Sequence, residues 1–329
     1  MGANAASDAE PAGGAAPGEL AICDGQTLAE LRHATTLSAS CKAEVAAYLP
    51  AASDDFTGRV LLLGSEEQSD GSLRAFVAGT DADGQALGPN AYARATVSAV
   101  GQAPLVVDAR VKVTPFAQLS GDVLSVEFVN DYSATMSRPD LLAVERVQKG
   151  LLNALPPIYE GEVTMFSSEV LVKQAFTTDR AKLIGAVEDD TGVERDLTAL
   201  YDGMGNGLDS LTGRSRPARL LMVSTDGLEN ASIAYKKAEL VRAITSDHVF
   251  VVMLGSLFAD VGELKSLAGP QGVYCYAPLY SDPLFADPHG KVTSLVNALT
   301  HGAAIDIPPA LAAGRPLRLD IDGQVVELD

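Results

Sequence analysis

The sequence predicts an α/β protein: a doubly wound, mostly parallel sheet with a second, smaller Ig-like β-sandwich domain. Three observations lead there. From about residue 122 onward, strand, loop and helix patterns alternate, as in a sheet covered on both faces. Between residues 56 and 118, short β-type runs are separated by Gly, Asp and Pro turns, the rhythm of antiparallel strands. The 329 residues, 47% hydrophobic and 20% charged, suffice for two domains with sizeable cores.

Residues 1–22 open with MGANAASDAEPAGGAAPG, a run of small and polar residues that cannot build a core. Such a leader reads either as the tether that follows a bacterial-type secretion or lipoprotein signal, or as an ordinary disordered terminus. Residues 23–50 hold a short helical element, TLAELRHATTLSA, bracketed by Cys23 and Cys41, and a disulfide between those two would staple it. Cys275, inside GVYCYAP, reads as a core residue.

The β-sandwich spans residues 51–121 through RVLLLGS, SLRAFVAGT, ARATVSAV and ARVKVTPF. It is small for a complete sandwich. The hairpin-like segment 314–329, turning at Asp322-Gly323, is expected to complete it or to edge the second domain.

The α/β domain spans residues 122–305. VLSVEFV is followed by a helix whose stripe is Leu141, Val144, Val147, Leu151 and Leu155, with Pro139 in its first turn. EVTMFSSEVLVKQAF predicts two strands. LTALYDGMGNGLDSL carries Leu197, Leu200, Tyr201, Met204, Leu208 and Leu211 at helical spacing. Then come RLLMVST (strand), SIAYKKAELVRAI (helix), HVFVVMLGS (strand), VGELKSLA (helix), GVYCYAP (strand) and KVTSLVNALTH (helix). Glu127, inside the first of these strands, has no evident reason to be in a doubly covered sheet.

The net charge of −19 argues against nucleic acid or an anionic membrane surface as the main partner, since both need Lys and Arg. An acidic protein can still engage an acidic group if a metal ion bridges them. VFVVMLGSLF at 249–258 is too short to cross a bilayer and reads as a buried strand.

Sites in open α/β sheets form where loops leave the carboxyl ends of strands. Three such loops carry the same chemistry here. The first is DYSAT, with Asp131, Ser133 and Thr135; the second, ERDLTALYDG, places Thr198 before a helical stripe; the third, VSTDGLEN, delivers Asp226 after an apolar strand. Asp, Ser and Thr are also ordinary loop and cap residues. Taken together, two carboxylates and three hydroxyls form an all-oxygen set suited to Mg²⁺ or Mn²⁺, or to Ca²⁺.

In these residues the chain resembles the von Willebrand factor A domain, the Rossmann-like integrin inserted-domain fold. That family's metal-ion-dependent adhesion site is written D-x-S-x-S, then a Thr, then an Asp, on three successive loops. DYSAT matches with Thr135 in place of the second Ser, LTALYDGMGNGL resembles the segment bearing the lone Thr, and STDG resembles the T-D-G turn. The resemblance runs from about 122 to 303. It implies a site of Asp131, Ser133, Thr135, Thr198 and Asp226, with hydroxyls on the ion directly and acids bound directly or through water. It further implies metal-dependent adhesion to a protein or matrix ligand whose Asp or Glu carboxylate completes the coordination sphere. Tyr132 and Ala134 depart from the small residues usual in the first loop, so Tyr132 either reaches solvent to touch a partner or packs on the neighbouring loop.

Other signals are weaker. GMGNG (203–207) sits inside a helical stripe rather than after a strand, which favours close helix packing over a phosphate loop. DADG (81–84) lacks the Glu that would close a calcium loop. No nucleophile–base arrangement can be assembled around His33, His248, His289 or His301, so the chain is expected to bind rather than catalyse. Two rival roles stay open: an assembly factor working with an ATPase, and a scaffold with an incidental metal site. The leader and the cysteine pair favour an extracytoplasmic location, secreted or surface-tethered, with the cytoplasm as the alternative.

Overall fold

The computed structural model describes residues 25, 38, 40–41, 43–44, 53–54, 56–99, 111–120, 123–256, 259–277, 291–313 and 316–328. The leader 1–22, Cys23 and most of the element 23–50 lie outside the described residues. Cys41 is disulfide-bonded, and Cys275 is buried and lies in no disulfide.

In chain order the elements are β1 (Val60–Glu67), β2 (Leu73–Gly79), β3 (Thr96–Ala99), β4 (Lys112–Pro115) and β5 (Leu124–Asp131), then α1 (Arg138–Ala154). Next come β6 (Tyr159–Phe166), β7 (Val170–Thr177), α2 (Arg180–Glu188), α3 (Leu200–Thr212), β8 (Ala218–Thr225) and α4 (Lys237–Ser246). The chain ends with β9 (Phe250–Gly255), α5 (Val261–Ala268), β10 (Val273–Tyr276), α6 (Lys291–Thr300), β11 (Ala303–Ile307), β12 (Leu317–Ile321) and β13 (Gln324–Leu328).

Strands β10, β9, β8, β5 and β6 lie side by side in parallel, and β7 closes the edge antiparallel to β6. Strands β5, β6 and β9 are buried along their whole length; β9, FVVMLG, is apolar throughout, whereas β5 and β6 carry buried acids among their apolar residues. One face packs on α1, α2 and α6 through residues such as Val126, Phe128, Leu151, Leu183 and Leu295. The other packs on α3, α4 and α5 through Val129, Val223, Leu208, Leu240 and Leu264. Helix α1 begins at a capping box in which Ser137 and Asp140 hold one another's backbone N–H groups. Helix α2 was not anticipated. Its few apolar residues make no clear stripe, and it starts because Asp179 accepts the N–H groups of Ala181 and Lys182.

The antiparallel strands do not form a sheet apart. Strands β1, β2, β11 and β4 pair in that order and continue the main sheet through β1 and β8. Strand β12 pairs with β13 and β3 in a three-stranded sheet. The two antiparallel layers share a core that includes Leu73, Val77, Val97, Ile305, Leu317 and Leu319. Strand β2 therefore has two covered faces: Phe76 and Ala78 join the α/β core, while Leu73, Ala75 and Val77 join the antiparallel one. The boundary expected at residue 305 falls inside β11, a short AAIDI run that sequence reading passed over.

Strand β1 meets β8 at one pair, Gly64 opposite Ala218, beside an irregularity between Leu62 and Gly64. Gly64 has φ +154°, and a Cβ there would stand 2.1 Å from the carbonyl oxygen of Pro217. Only glycine permits that approach. Gly64→Ala is expected to destabilise the fold by about 2 kcal/mol or more, read from urea unfolding; a loss below about 0.5 kcal/mol would show that the junction tolerates a side chain.

Candidate metal centre

Asp131 is the last residue of β5 and is fully buried. Its Oδ1 accepts the N–H of Ser133 at 2.8 Å, which turns the chain sharply after the strand. Its Oδ2 accepts the hydroxyl of Thr225 at 2.6 Å, tying the end of β5 to the end of β8. The Thr225 hydroxyl in turn accepts Gly227 N–H at 3.0 Å. Gly227 has φ +80° and lies against Asp260, so the T-D-G turn needs glycine on two counts.

Ser133 is buried, and its hydroxyl lies 3.0 Å from that of half-buried Thr135. Arg195 donates to the carbonyl oxygens of Ser133 and Met136, and Ala134 N–H donates to Asp196 at 2.9 Å. The first and second loops are thus bonded together. The second and third are joined at Thr198: its N–H donates to Asn230 Oδ1 at 2.8 Å, and its carbonyl accepts the N–H groups of Asn230 and Ala231.

Thr198 is 1% exposed, and its hydroxyl has no hydrogen-bond partner. A buried orphan hydroxyl costs about 1–3 kcal/mol unless something fills its lone pairs. Asp226 is buried too, with Oδ1 accepting Leu228 N–H at 3.0 Å. Burial and then the negative charge of Asp226 push the Asp131 carboxyl up to about 7, while hydrogen bonds from Ser133 and Thr225 act against the rise. Two buried acids and three hydroxyls, one of them unsatisfied, fit a small hard cation. Among the described residues no group of three or more His, Cys, Asp or Glu is placed to hold a metal ion.

Tyr132 corrects the expectation of a partner contact. It is 3% exposed and packs with Met136, Leu141 and Met165, because its position alternates inward as the chain leaves β5. Leu197 is likewise off the helical stripe assigned to it: α3 starts at Leu200, and Leu197 is 48% exposed next to Thr198.

Two acids that sequence reading missed brace the site without entering it. Glu229 accepts the N–H groups of Tyr201, Ala231 and Ser232, together with the Ser232 hydroxyl. Asp202 accepts those of Ile233, Ala234 and Tyr235. These bonds clamp residues 229–235 on the first turn of α3, so the predicted helix over SIAYKKAELVRAI begins only at Lys237. Ile233 is left 86% exposed on that clamped segment. An Asp in the first turn of α3 with a Glu and Ser three apart nearby was the available signal.

The described residues form an α/β fold around a mostly parallel central sheet. No protein-family model matches the chain, and no curated protein matches it in sequence. Among solved structures it is similar to BatB from Bacteroides thetaiotaomicron, at 15% identity and a TM-score of 0.44 over 54% of this chain and 97% of that one. It is also similar to proximal thread matrix protein 1 from the mussel byssus with a zinc-occupied MIDAS motif, at 15% identity and a TM-score of 0.46 over 60% of this chain and 50% of that one. A von Willebrand factor type A protein from Catenulispora acidiphila is similar at 12% identity and a TM-score of 0.40, over 74% of this chain and 48% of that one.

Folded Asp131 keeps its proton to about pH 7, whereas the unfolded chain releases it near 3.8. Its contribution to metal-free stability is therefore greatest at acid pH and is lost as pH rises through that window. Asp131→Asn is expected to flatten that part of the stability–pH profile in chemical unfolding; an unchanged slope would mean that Asp131 is ionised throughout.

Proposed function

We propose that the chain is a metal-dependent protein-binding module of adhesion type. Asp131, Ser133, Thr135, Thr198 and Asp226 would hold one divalent cation, Mg²⁺ or else Mn²⁺ or Ca²⁺. A bound ion of this kind acts as a Lewis acid, and three of the five donors being neutral hydroxyls leaves it electron-poor. An Asp or Glu carboxylate of the partner would complete its sphere, which is how a protein of net charge −19 engages an acidic group. The chain's own residues position and orient: Thr225 fixes the Asp131 carboxylate, Asn230 fixes the Thr198 backbone, and Arg195 fixes the first loop.

The observation that carries this reading is the unpartnered, buried hydroxyl of Thr198, on a loop bonded to both loops that bear the acids. The role is binding and not turnover. An extracytoplasmic location is part of the proposal, supported by the disulfide at Cys41, since such bonds persist in oxidising compartments. Among the described residues no helix is long and apolar enough to cross a membrane.

Calorimetric titration with Mg²⁺ is expected to show one site in the wild type, no detectable binding by Asp131→Ala, and binding weakened about tenfold or more by Thr198→Ala. Equal binding by wild type and Asp131→Ala sinks the metal assignment. Partners retained by Asp131→Ala in Mg²⁺ would instead make the chain a scaffold with an incidental ion.

A further inference from the structure

Glu127 lies in the middle of the central strand β5 and is fully buried. Its register partner on β6 is Glu162, also buried, and Thr164 lies two residues further along the same face. Neither oxygen of Glu127 has a hydrogen-bond partner; nor does Glu162 Oε1 or the Thr164 hydroxyl. Two acids thus face one another in the dry space between the sheet and α3, with four orphan oxygens around them.

Among the described residues no cation reaches them from the elements packed there. On β6, Glu160 takes Arg214 at 2.7 Å and Arg216 at 3.2 Å. On β8, Leu221 is the register neighbour of Glu127, and the Arg219 guanidinium donates to the carbonyl oxygens of Arg214 and Asp247. On β7, Lys173 is paired with Asp189. On α3, Asp209 accepts the Tyr235 hydroxyl, and Asn206 Oδ1 is buried without a partner. Two facing carboxylates with no counter-charge cannot both be ionised in such a place.

The packing decides what neutralises them. Gly207 of α3 sits so close that a Cβ would meet Val129 Cγ2 at 2.8 Å and Glu127 Cγ at 3.0 Å. Gly203, one turn earlier, lies as close to the Phe166 ring. A metal ion with its own coordination sphere has no room under a helix seated this tightly; a proton needs none.

We propose that Glu127 and Glu162 hold a single proton between their carboxyl groups, and that this shared proton seats α3 on the sheet. With the proton in place, one carboxyl donates to the other and the Thr164 hydroxyl is free to donate to the pair, so the orphan oxygens are satisfied. Without it, two negative charges lie beneath Gly207, and water must enter under the helix. Burial and the charge of Glu162 push the Glu127 carboxyl well above its ordinary range, in agreement. The GMGNG segment thus acquires a role in close packing over an acid pair. Because the first turn of α3 holds residues 229–235, the seat of that helix also sets the brace beside the candidate metal centre.

The test uses the whole chain in chelator, so its result is independent of any metal reading. Folded protein keeps a proton that the unfolded chain has lost, so stability falls as pH rises above the ordinary carboxyl range. Each pH unit is expected to lower the wild-type folding constant about tenfold more than that of Glu127→Gln or Glu162→Gln, whose amide replaces the shared proton. The Asp131 contribution is common to all three proteins and cancels. At about pH 8, above the Asp131 range, the infrared spectrum of the wild type is expected to show a protonated-carboxyl band that either variant lacks. Should Glu127→Gln fail to fold, Glu162→Gln and the wild-type infrared band decide. Parallel pH slopes with no such band overturn the proposal. So does Mg²⁺ or Ca²⁺ binding by Asp131→Ala that disappears when Glu127→Gln is added, because a metal ion would then occupy the pair.

Discussion

Asp131 is an acid with no exposed surface at the end of the central strand, and the polar architecture around it answers that placement. A carboxylate so buried is tolerated only if its oxygens are met by donors. One donor comes from its own loop through Ser133 N–H, the other from the neighbouring strand through Thr225. Thr225 can serve because β5 and β8 run parallel with their ends level, a register fixed by apolar pairs such as Phe128 opposite Met222. The position of Asp226 follows, one residue beyond Thr225, and with it the acid pair at the rim. A polar cluster is thus aligned by a hydrophobic sheet, and strand register is its first determinant.

Acids do three different things in this molecule. Asp131 and Asp226 gather at a strand-end rim with hydroxyls beside them. Glu229 and Asp202 spend their oxygens on backbone N–H groups and so act as rigid braces. Glu127 and Glu162 face one another in the interior, with both oxygens of Glu127 and Oε1 of Glu162 unpartnered. Composition shows only that acids are abundant; which role each plays depends on what the fold puts opposite it.

That distinction also marks how far the sequence could be read. The strand–loop–helix alternation and the stripe of α1 were legible because long buried elements leave strong periodicity, and Leu141, Val144, Val147, Leu151 and Leu155 are all buried as their spacing predicts. The five rim residues stood out because hydroxyls and acids end otherwise apolar runs. Tyr132 was ambiguous because one aromatic residue in a polar loop carries no periodicity to say which way it points. Helix α2 and strand β11 were missed for want of length or stripe, and the braces at Asp202 and Glu229 because most of their partners are backbone groups, which leave the Glu-Ser spacing as the one weak sequence signal. Leu197 fitted the helical spacing by coincidence: the first turn of α3 begins three residues later.

The pairing of β2 with β11 has a consequence for how the chain is made. Arg74 on β2 and Asp306 on β11 form an ion pair at 2.5 Å across a separation of 232 positions. Strands β2 and β4 therefore leave the ribosome long before the strand that lies between them and their common core. Strand β3 waits longer still, for β12. The intervening α/β segment has time to close on its own contacts first, since its strands and helices follow one another closely. Strand β2 can pair early with β1, but its other edge and its apolar residues Leu73, Ala75 and Val77 stay uncovered until β11 and β12 arrive. Biosynthesis of this chain thus contains an interval in which its first-made strands are its last to be buried, and that interval is where a chaperone would have most to hold.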